Sequence, residues 1–384
     1  MRQSQPYECP WADEEIELFR DMVTRFLDTE MAPADEAARK RGHVGHEIWR
    51  RAGELNLLCS DIPEEYGGAG GDFRHEAVFL EEMARRGLTG MNTGVHSIVA
   101  HYLLNHGTAE QRERYLPRMA RGELVGAIAM SEPDAGSDLQ AIRSRAVADG
   151  DHYRLSGAKT WISNGYLAGL VLVVCKTDPS AGAKGTSILI AETEGLDGYR
   201  VGRVLDKIGM KAQDTSELFF DEVELHRDQL LGGEEGKGFY QLMGDLPYER
   251  LIISVNAVGA IEGALAATID YTKERRAFGQ SVFDFQNSKF KLAEIATQAR
   301  VARTYLDRCI QDLLDEKLDT VGASMAKMWT TDLQNRVIDE CLQLFGGYGY
   351  TNEYMIGRMY IDARVQRIYG GTNEIMKEVI SRSL

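Results

Sequence analysis

Apolar residues recur at three- and four-residue steps through the first third of the chain. Ile16, Phe19, Val23 and Phe26 share one helical face, and Pro33 is expected to end that helix. A second helical segment around Ile48–Leu58 runs into the Gly-rich break Asp61-Ile62-Pro63-Glu64-Glu65-Tyr66-Gly67-Gly68. Phe73 to Arg86 reads as a third helix, with Arg85 and Arg86 suited to the negative end of its dipole and Gly87 to its cap. Thr108, with Gln111 three residues on, reads as a capping box before Tyr115-Leu116-Pro117. Near Gly126 the texture switches to short β-rich runs: Tyr153 to Ser163 with an Asn164-Gly165 turn, Leu170–Cys175, Thr186–Ile190 and Glu217–Asp221. Strand follows strand without a helical spacer, so an antiparallel unit is expected, closing at Leu231–Gly236.

From Gly238 the period returns to that of a helix, in long elements. Ala326, Trp329, Leu333, Val337, Cys341 and Leu344 form one stripe stopped by Gly346-Gly347. The stretch Gly244–Arg276 is the most unusual. Asp245 is placed to cap a helix and Pro247 to sit in its first turn, and Leu251–Ile261 carries no charge. A helix apolar on nearly every face belongs inside a bundle, which leaves Glu249 and Arg250 at its mouth. The ordinary explanation for Glu249 is an acid at the positive end of the macrodipole. The pattern as a whole predicts a mainly α chain with a middle antiparallel β domain. Its expected divisions are a helical domain over 1–125, a β domain over 126–235 and a helical bundle over 236–384.

Composition narrows the function. A chain of 384 residues exceeds one ordinary core. The formal charge of -15 argues against a nucleic-acid partner, which needs a basic face. The start Met1–Glu8 has no apolar leader, Asp13-Glu14-Glu15 is wrong for a transit peptide, and no apolar run approaches the ~20 residues of a membrane span. A cytoplasmic, bacterial protein without stable membrane insertion is expected. Five scattered cysteines read as reduced thiols, and the histidine pairs lack ligands at metal spacing, so no metal site is expected.

Several stretches suit a ligand. In Ser131–Asp138, Gly136 and the hydroxyls of Ser131 and Ser137 let small donors approach a phosphate closely; a plain polar loop is the competing reading. Trp161-Ile162-Ser163 sets a flat indole beside a hydroxyl, against the alternative of a core tryptophan. Arg275 and Arg276 before Ala277-Phe278-Gly279 suit phosphate, or else a solvated helix end. Tyr369-Gly370-Gly371-Thr372-Asn373-Glu374-Ile375 interrupts the C-terminal helices, with Thr372 available as a plain N-cap. Neither a Rossmann G-x-G-x-x-G nor a P-loop is present.

These stretches, with Gln343-x-x-Gly346-Gly347, occur in an order that resembles the acyl-CoA dehydrogenases from about residue 12 to the end. The resemblance implies one FAD per subunit and a homotetramer. It implies that Met130, Ser131, Gly136, Ser137, Trp161, Ile162 and Ser163 hold the flavin, with Ser137 also near the CoA phosphates. Arg275, Phe278, Gln286, Gln343, Gly346 and Gly347 would reach the ADP half of FAD in a neighbouring subunit, and Thr372 and Glu374 would complete the cofactor site.

One departure reassigns the base. Straight-chain members of the family carry a glutamate directly before the Gly-Thr of the C-terminal motif, where this chain has Gly370. A branch that includes long-chain and isovaleryl-type enzymes places it on the long helix of the C-terminal domain, before an arginine. Glu249-Arg250 matches that arrangement, and the chain looks closest to the long-chain type. The resemblance then implies that Glu249 removes the α-proton of an acyl-CoA, flavin N5 accepts the β-hydride, and electrons pass to an electron-transferring flavoprotein. The backbone at Gly370 and Gly371 would meet the thioester, and Tyr240 and Arg250 would line the acyl-CoA channel. A flavoprotein oxidase acting on a non-CoA substrate and a non-catalytic protein on the same scaffold are the alternatives.

Overall fold

The computed structural model describes residue 7 and residues 9–384; apart from Tyr7, the leader reading at Met1–Glu8 lies outside the described residues. Among the described residues six α-helices come first: α1 Glu14–Phe26, α2 Ala32–Arg41, α3 His46–Glu54, α4 Phe73–Arg85, α5 Thr93–His106 and α6 Ala109–Ala120. Seven strands follow: β1 Val125–Ala129, β2 Arg145–Asp149, β3 His152–Ser163, β4 Ala168–Lys176, β5 Thr186–Glu192, β6 Tyr199–Val204 and β7 Thr215–His226. The chain closes with α7 Gly238–Glu274, a hairpin of β8 Arg276–Ala277 and β9 Gln280–Ser281, then α8 Gln286–Leu314, α9 Thr320–Phe345, α10 Met355–Asp362 and α11 Asn373–Ser381.

Packing divides these elements into two compact units, each assembled from separated stretches of chain. The first takes the chain through Leu27, Asp72–Gly87 and Arg250–Leu384; the second takes Asp28–Gly71 and Leu88–Glu249. Helix α7 therefore gives its start to one unit and the rest to the other.

The first unit is helical. Small residues set how closely its helices approach: a Cβ on Gly263 of α7 would lie 2.2 Å from the Arg85 carbonyl oxygen of α4. Only glycine allows that contact. Beside it the buried Arg303 of α8 donates through Nε and Nη2 to Glu262 of α7, both at 2.9 Å, and pairs with Glu81 of α4. One guanidinium thus crosslinks three helices, and removing it would take a cation from the buried Glu81 and the half-buried Glu262.

The second unit is built on a sheet of order β1-β4-β2-β3-β7-β6, with β5 also on β4. Its pairs are antiparallel except where β1 and one residue of β2 run parallel to β4. The β2–β3 hairpin lies between β1 and β4 in sequence and turns the chain back, so no helical crossover is needed. Val173, Leu189, Leu155 and Phe220 lie in the core against the sheet. His96 of α5 is fully buried there; Nδ1 accepts the Gly126 N–H at 3.0 Å and Nε2 lies 3.2 Å from the Met119 carbonyl. Both contacts require a neutral ring, and burial lowers its pKa to about 4.

Three local expectations change. Pro33 starts α2 rather than ending α1; a π-helical turn, Leu27–Met31, separates the two, and proline fits a first turn because its missing N–H has no partner there. Helix α7 begins at Gly238, so Asp245 is not its cap and Pro247 lies inside it. Asp245 is engaged instead with α5, accepting from Asn105 Nδ2 and His106 Nε2, each at 2.7 Å. Helix α7 is also long and apolar enough to cross a bilayer by length and composition, although 67% of that window is buried, as in a core helix.

Candidate active site

Glu249 lies well inside α7, so the macrodipole, which acts over the first turn, does not explain it. The residue is 7% exposed. Tyr102 of α5, fully buried, donates its hydroxyl to Glu249 Oε1 at 2.8 Å. Burial, then the Glu249 charge, pushes the Tyr102 pKa well above that of a free phenol, so the hydroxyl stays protonated and remains a donor. Neighbouring groups hold the same stretch of helix. Tyr248 Oη donates to Asp61 Oδ2 at 3.0 Å, His101 Nε2 lies 2.8 Å from the same oxygen, and the His101 and Tyr248 rings sit 4.0 Å apart. Burial pushes the Asp61 pKa up, but the His101 charge and these hydrogen bonds outweigh it and keep it low. Asp245, Tyr248 and Glu249 are thus anchored, one by one, to groups on α5 or the loop after α3.

The C-terminal turn is built oppositely. Gly370 and Gly371 take φ of +63° and +83°, the left-handed region that glycine adopts without strain. A Cβ on Gly370 would lie 2.3 Å from Ile253 Cδ1. Ile253 stands one turn beyond Glu249 on α7, and its terminal methyl would have to turn aside for a side chain at 370. Beneath the turn the buried Lys327 of α9 donates to the Gly371 carbonyl at 2.8 Å and to Asn373 Oδ1 at 3.0 Å. Burial lowers the Lys327 pKa to about 8. Thr372 is the N-cap of α11, its Oγ1 accepting the Ile375 N–H at 3.3 Å, and Glu374 is exposed in the first turn. The result is a fixed backbone with no acid at 370.

The loop after β1 is stitched to β3. Thr160 N–H donates to the Ser131 carbonyl at 3.0 Å, and the buried Lys159 amine donates to the Met130 carbonyl at 3.0 Å and to Glu132 Oε1 at 2.8 Å. Glu132 also accepts the N–H groups of Arg143 and Ser144. Gly136 and Ser137 stand exposed at the loop's far side, and a Cβ on Gly136 would meet nothing within 4 Å. Trp161 is no core tryptophan. It is 64% exposed, with φ +63°, where the β3–β7 register shifts between Lys159 and Ile162. A bulge re-aims a side chain at a cost in strain of about 1–3 kcal/mol, and such strain concentrates at functional positions. Ile162 is buried behind it, and Ser163 Oγ accepts from Gln213 Nε2 at 3.2 Å.

A separate cleft of about 480 Å³ opens in the helical unit, and Arg275, Gln343, Gly346 and Gly347 all line it. Tyr271 and Phe345 stack at 4.1 Å on its wall, and the Arg275 guanidinium lies 5.5 Å from the Tyr348 ring. A Cβ on Gly346 or Gly347 would meet nothing within 4 Å, so both leave the cleft open. A cation, an amide, flat aromatic walls and bare backbone fit a phosphate-linked heteroaromatic ligand. Phe278, 96% exposed at the β8–β9 tip, and Gln286, exposed at the start of α8, are not among the lining residues. Tyr240 is exposed near the start of α7, whereas Arg250 is buried and donates to Ser324 Oγ of α9 at 2.9 Å.

Sequence reasoning missed Tyr102, Ile253 and Lys327. Each sits inside an apolar or helical stretch, and no local motif marks it. Among the described residues no cluster of three His, Cys, Asp or Glu could hold a metal.

Models of the acyl-CoA dehydrogenase N-terminal, middle and C-terminal domains match residues 13–123, 127–223 and 236–384. The chain is 48% identical over 373 residues to the mitochondrial long-chain specific acyl-CoA dehydrogenase of Mus musculus, covering 96% of this chain and 86% of that one. Its fold superposes with a TM-score of 0.94 on an acyl-CoA dehydrogenase from Geobacillus kaustophilus, at 43% identity over 98% of this chain and 99% of that one. A glutaryl-CoA dehydrogenase from Mycobacterium smegmatis, solved in complex with FADH2, superposes with a TM-score of 0.90 at 26% identity, covering 97% of this chain and 95% of that one.

Proposed function

This chain belongs to the acyl-CoA dehydrogenase family, and from that premise we propose that it desaturates acyl-CoA thioesters with Glu249 as the base that removes the α-proton. The observation that carries the assignment is a buried glutamate at 249 together with a glycine in the left-handed region at 370, which offers no acid.

The reaction makes a weakly acidic α-proton leave to a carboxylate. A base sequestered from water and held at one oxygen by the Tyr102 hydroxyl keeps its position without solvent reorganisation. The backbone N–H of Gly370, in the turn fixed by Lys327, is the donor for the thioester oxygen as enolate charge develops. That role needs no side chain. FAD is the cofactor and, when bound, supplies the hydride acceptor. Met130, Ser131, Gly136, Ser137 and Trp161–Ser163 would hold the flavin end, with Thr372 and Glu374 completing the site. Arg275, Phe278, Gln286, Gln343, Gly346 and Gly347 would receive the ADP end of the cofactor of a neighbouring subunit in a homotetramer. Ser137, Tyr240, Arg250 and Gly371 would line the path of the acyl-CoA.

The identity to the long-chain enzyme supports a long-chain acyl substrate, and the 35% and 34% identities to 2-methylacyl-CoA and isovaleryl-CoA dehydrogenases make branched chains the second class; electron-transferring flavoprotein is the acceptor in this reading. Anaerobic bleaching of the flavin across a panel of acyl-CoA esters tests the reading. Fast bleaching by long straight chains is expected, with little oxygen uptake when no acceptor is present. Bleaching confined to short branched esters would overturn the chain-length assignment, and rapid oxygen uptake would overturn the acceptor.

A further inference from the structure

We propose that Tyr102 is a positioning residue for the Glu249 base, an inference that rests on the assignment of Glu249 above. Three observations carry it. First, the Tyr102 hydroxyl lies 2.8 Å from Glu249 Oε1, within the ordinary range for a bond from a hydroxyl to a carboxylate. Second, both partners are buried, so water is a poor substitute for the phenol and the carboxylate depends on the donors the protein provides. Third, the contact belongs to a built interface. Asn105 and His106, one turn beyond Tyr102 on α5, hold Asp245, one turn before Glu249 on α7. Two successive turns of α5 therefore grip two successive turns of α7, with Pro247 between the gripped residues. Proline there removes the N–H that would bond the Met243 carbonyl, so this stretch has one fewer helical bond of its own.

The consequence concerns both orientation and protonation. A hydrogen bond to the charged form of a carboxylate favours that form, so the phenol keeps Glu249 ionised and ready to accept a proton to lower pH than burial alone would allow. Among the groups that face the pair are His106, whose ring centroid lies 5.9 Å from that of Tyr102, and Asp245, whose charge also bears on the Tyr102 hydroxyl. Tyr248 is turned to Asp61 and His101, and Arg250 to α9. Tyr102 meets neither thioester nor reacting carbon in this account; it acts through the base.

Tyr102→Phe removes the oxygen and keeps the ring. In the FAD-loaded enzyme, we expect it to retain its yellow flavin and its KM, lose about tenfold in kcat, and move the acid limb of kcat/KM to higher pH. A purely structural role would lower the amount of folded protein without moving that limb. Glu249→Gln is assayed beside it. If Glu249→Gln loses flavin bleaching and Tyr102→Phe shifts the limb, the proposal stands. If Glu249→Gln is inactive while Tyr102→Phe keeps the wild-type limb and kcat, the positioning role is overturned and the base survives. If Glu249→Gln bleaches at a near-normal rate, both are overturned. Should Tyr102→Phe be too unstable to assay, melting of the two single variants and the double variant closes a cycle. Additive shifts in Tm would overturn the contact, and a non-additive cycle would uphold it.

Discussion

Two places in this chain are those where a catalytic base is expected or from which it is displaced, and they are built in opposite ways. At position 249 a carboxylate is buried within a long helix and met by a phenol that does not ionise at working pH. At position 370 a glycine in the left-handed region faces Ile253, and the turn around it is fixed by Lys327 through the Gly371 carbonyl. The first place supplies a group that changes charge, while the second supplies only backbone. The contrast teaches that moving a base from a turn to a helix changes more than the acid itself. On the proposed assignment, the position without an acid faces the Ile253 methyl of the helix that carries Glu249, and the acid at 249 has a donor in Tyr102.

The largest effect that sharpens this comparison comes from moving the acid back. Glu249→Gly with Gly370→Glu is expected to lower turnover by about 10²- to 10⁴-fold, because the new side chain meets Ile253 and its backbone is strained at φ +63°. Adding Ile253→Ala should recover at least tenfold of that loss. Steady-state turnover on a long-chain acyl-CoA reads it, and full activity in the double variant would show that Ile253 does not exclude a base at 370.

A smaller effect tests the loop assigned to the flavin. Lys159→Met leaves Glu132 buried without its cation, at a cost of about 3–5 kcal/mol, and frees the Met130 carbonyl. Thermal melting should fall by several degrees and bound flavin should drop; an unchanged flavin content would separate the loop from the cofactor.

The sequence carried the parts of this picture that are local. The Thr108–Gln111 capping box, the Asn164 turn, the strands at 170–175 and 186–190 and the stop at Gly346 are written in neighbouring residues and appear as read. The cleft residues Arg275, Gln343, Gly346 and Gly347 were legible only through their order along the chain, yet they meet in one place. What could not be read depends on pairs far apart. Tyr102 and Glu249 are separated by 147 residues, and nothing around Tyr102 distinguishes it from a core aromatic. The start of α7 was misplaced because Asp245 and Pro247 form a credible helix start by local rules, whereas contacts with α5 account for the aspartate.

The smallest effect concerns acid stability. His96 is buried neutral with a pKa near 4, below the ~6.5 of an unfolded histidine, so the unfolded chain binds the extra proton between those values. Stability should therefore be fully present above pH 6.5 and fall as pH drops toward 4, by up to about 3 kcal/mol from this residue. His96→Gln is expected to melt lower at pH 7 yet show a shallower fall in Tm between pH 6.5 and 4.5. Parallel pH profiles for the two proteins would remove His96 as the cause.

The most direct measurement is stopped-flow flavin bleaching of Glu249→Gln, loaded with FAD and mixed anaerobically with a long-chain acyl-CoA. The variant should hold its flavin and bind the thioester, and its bleaching should slow by about 10³-fold or more. Bleaching within a few-fold of the wild-type rate would contradict the assignment of Glu249 as the base.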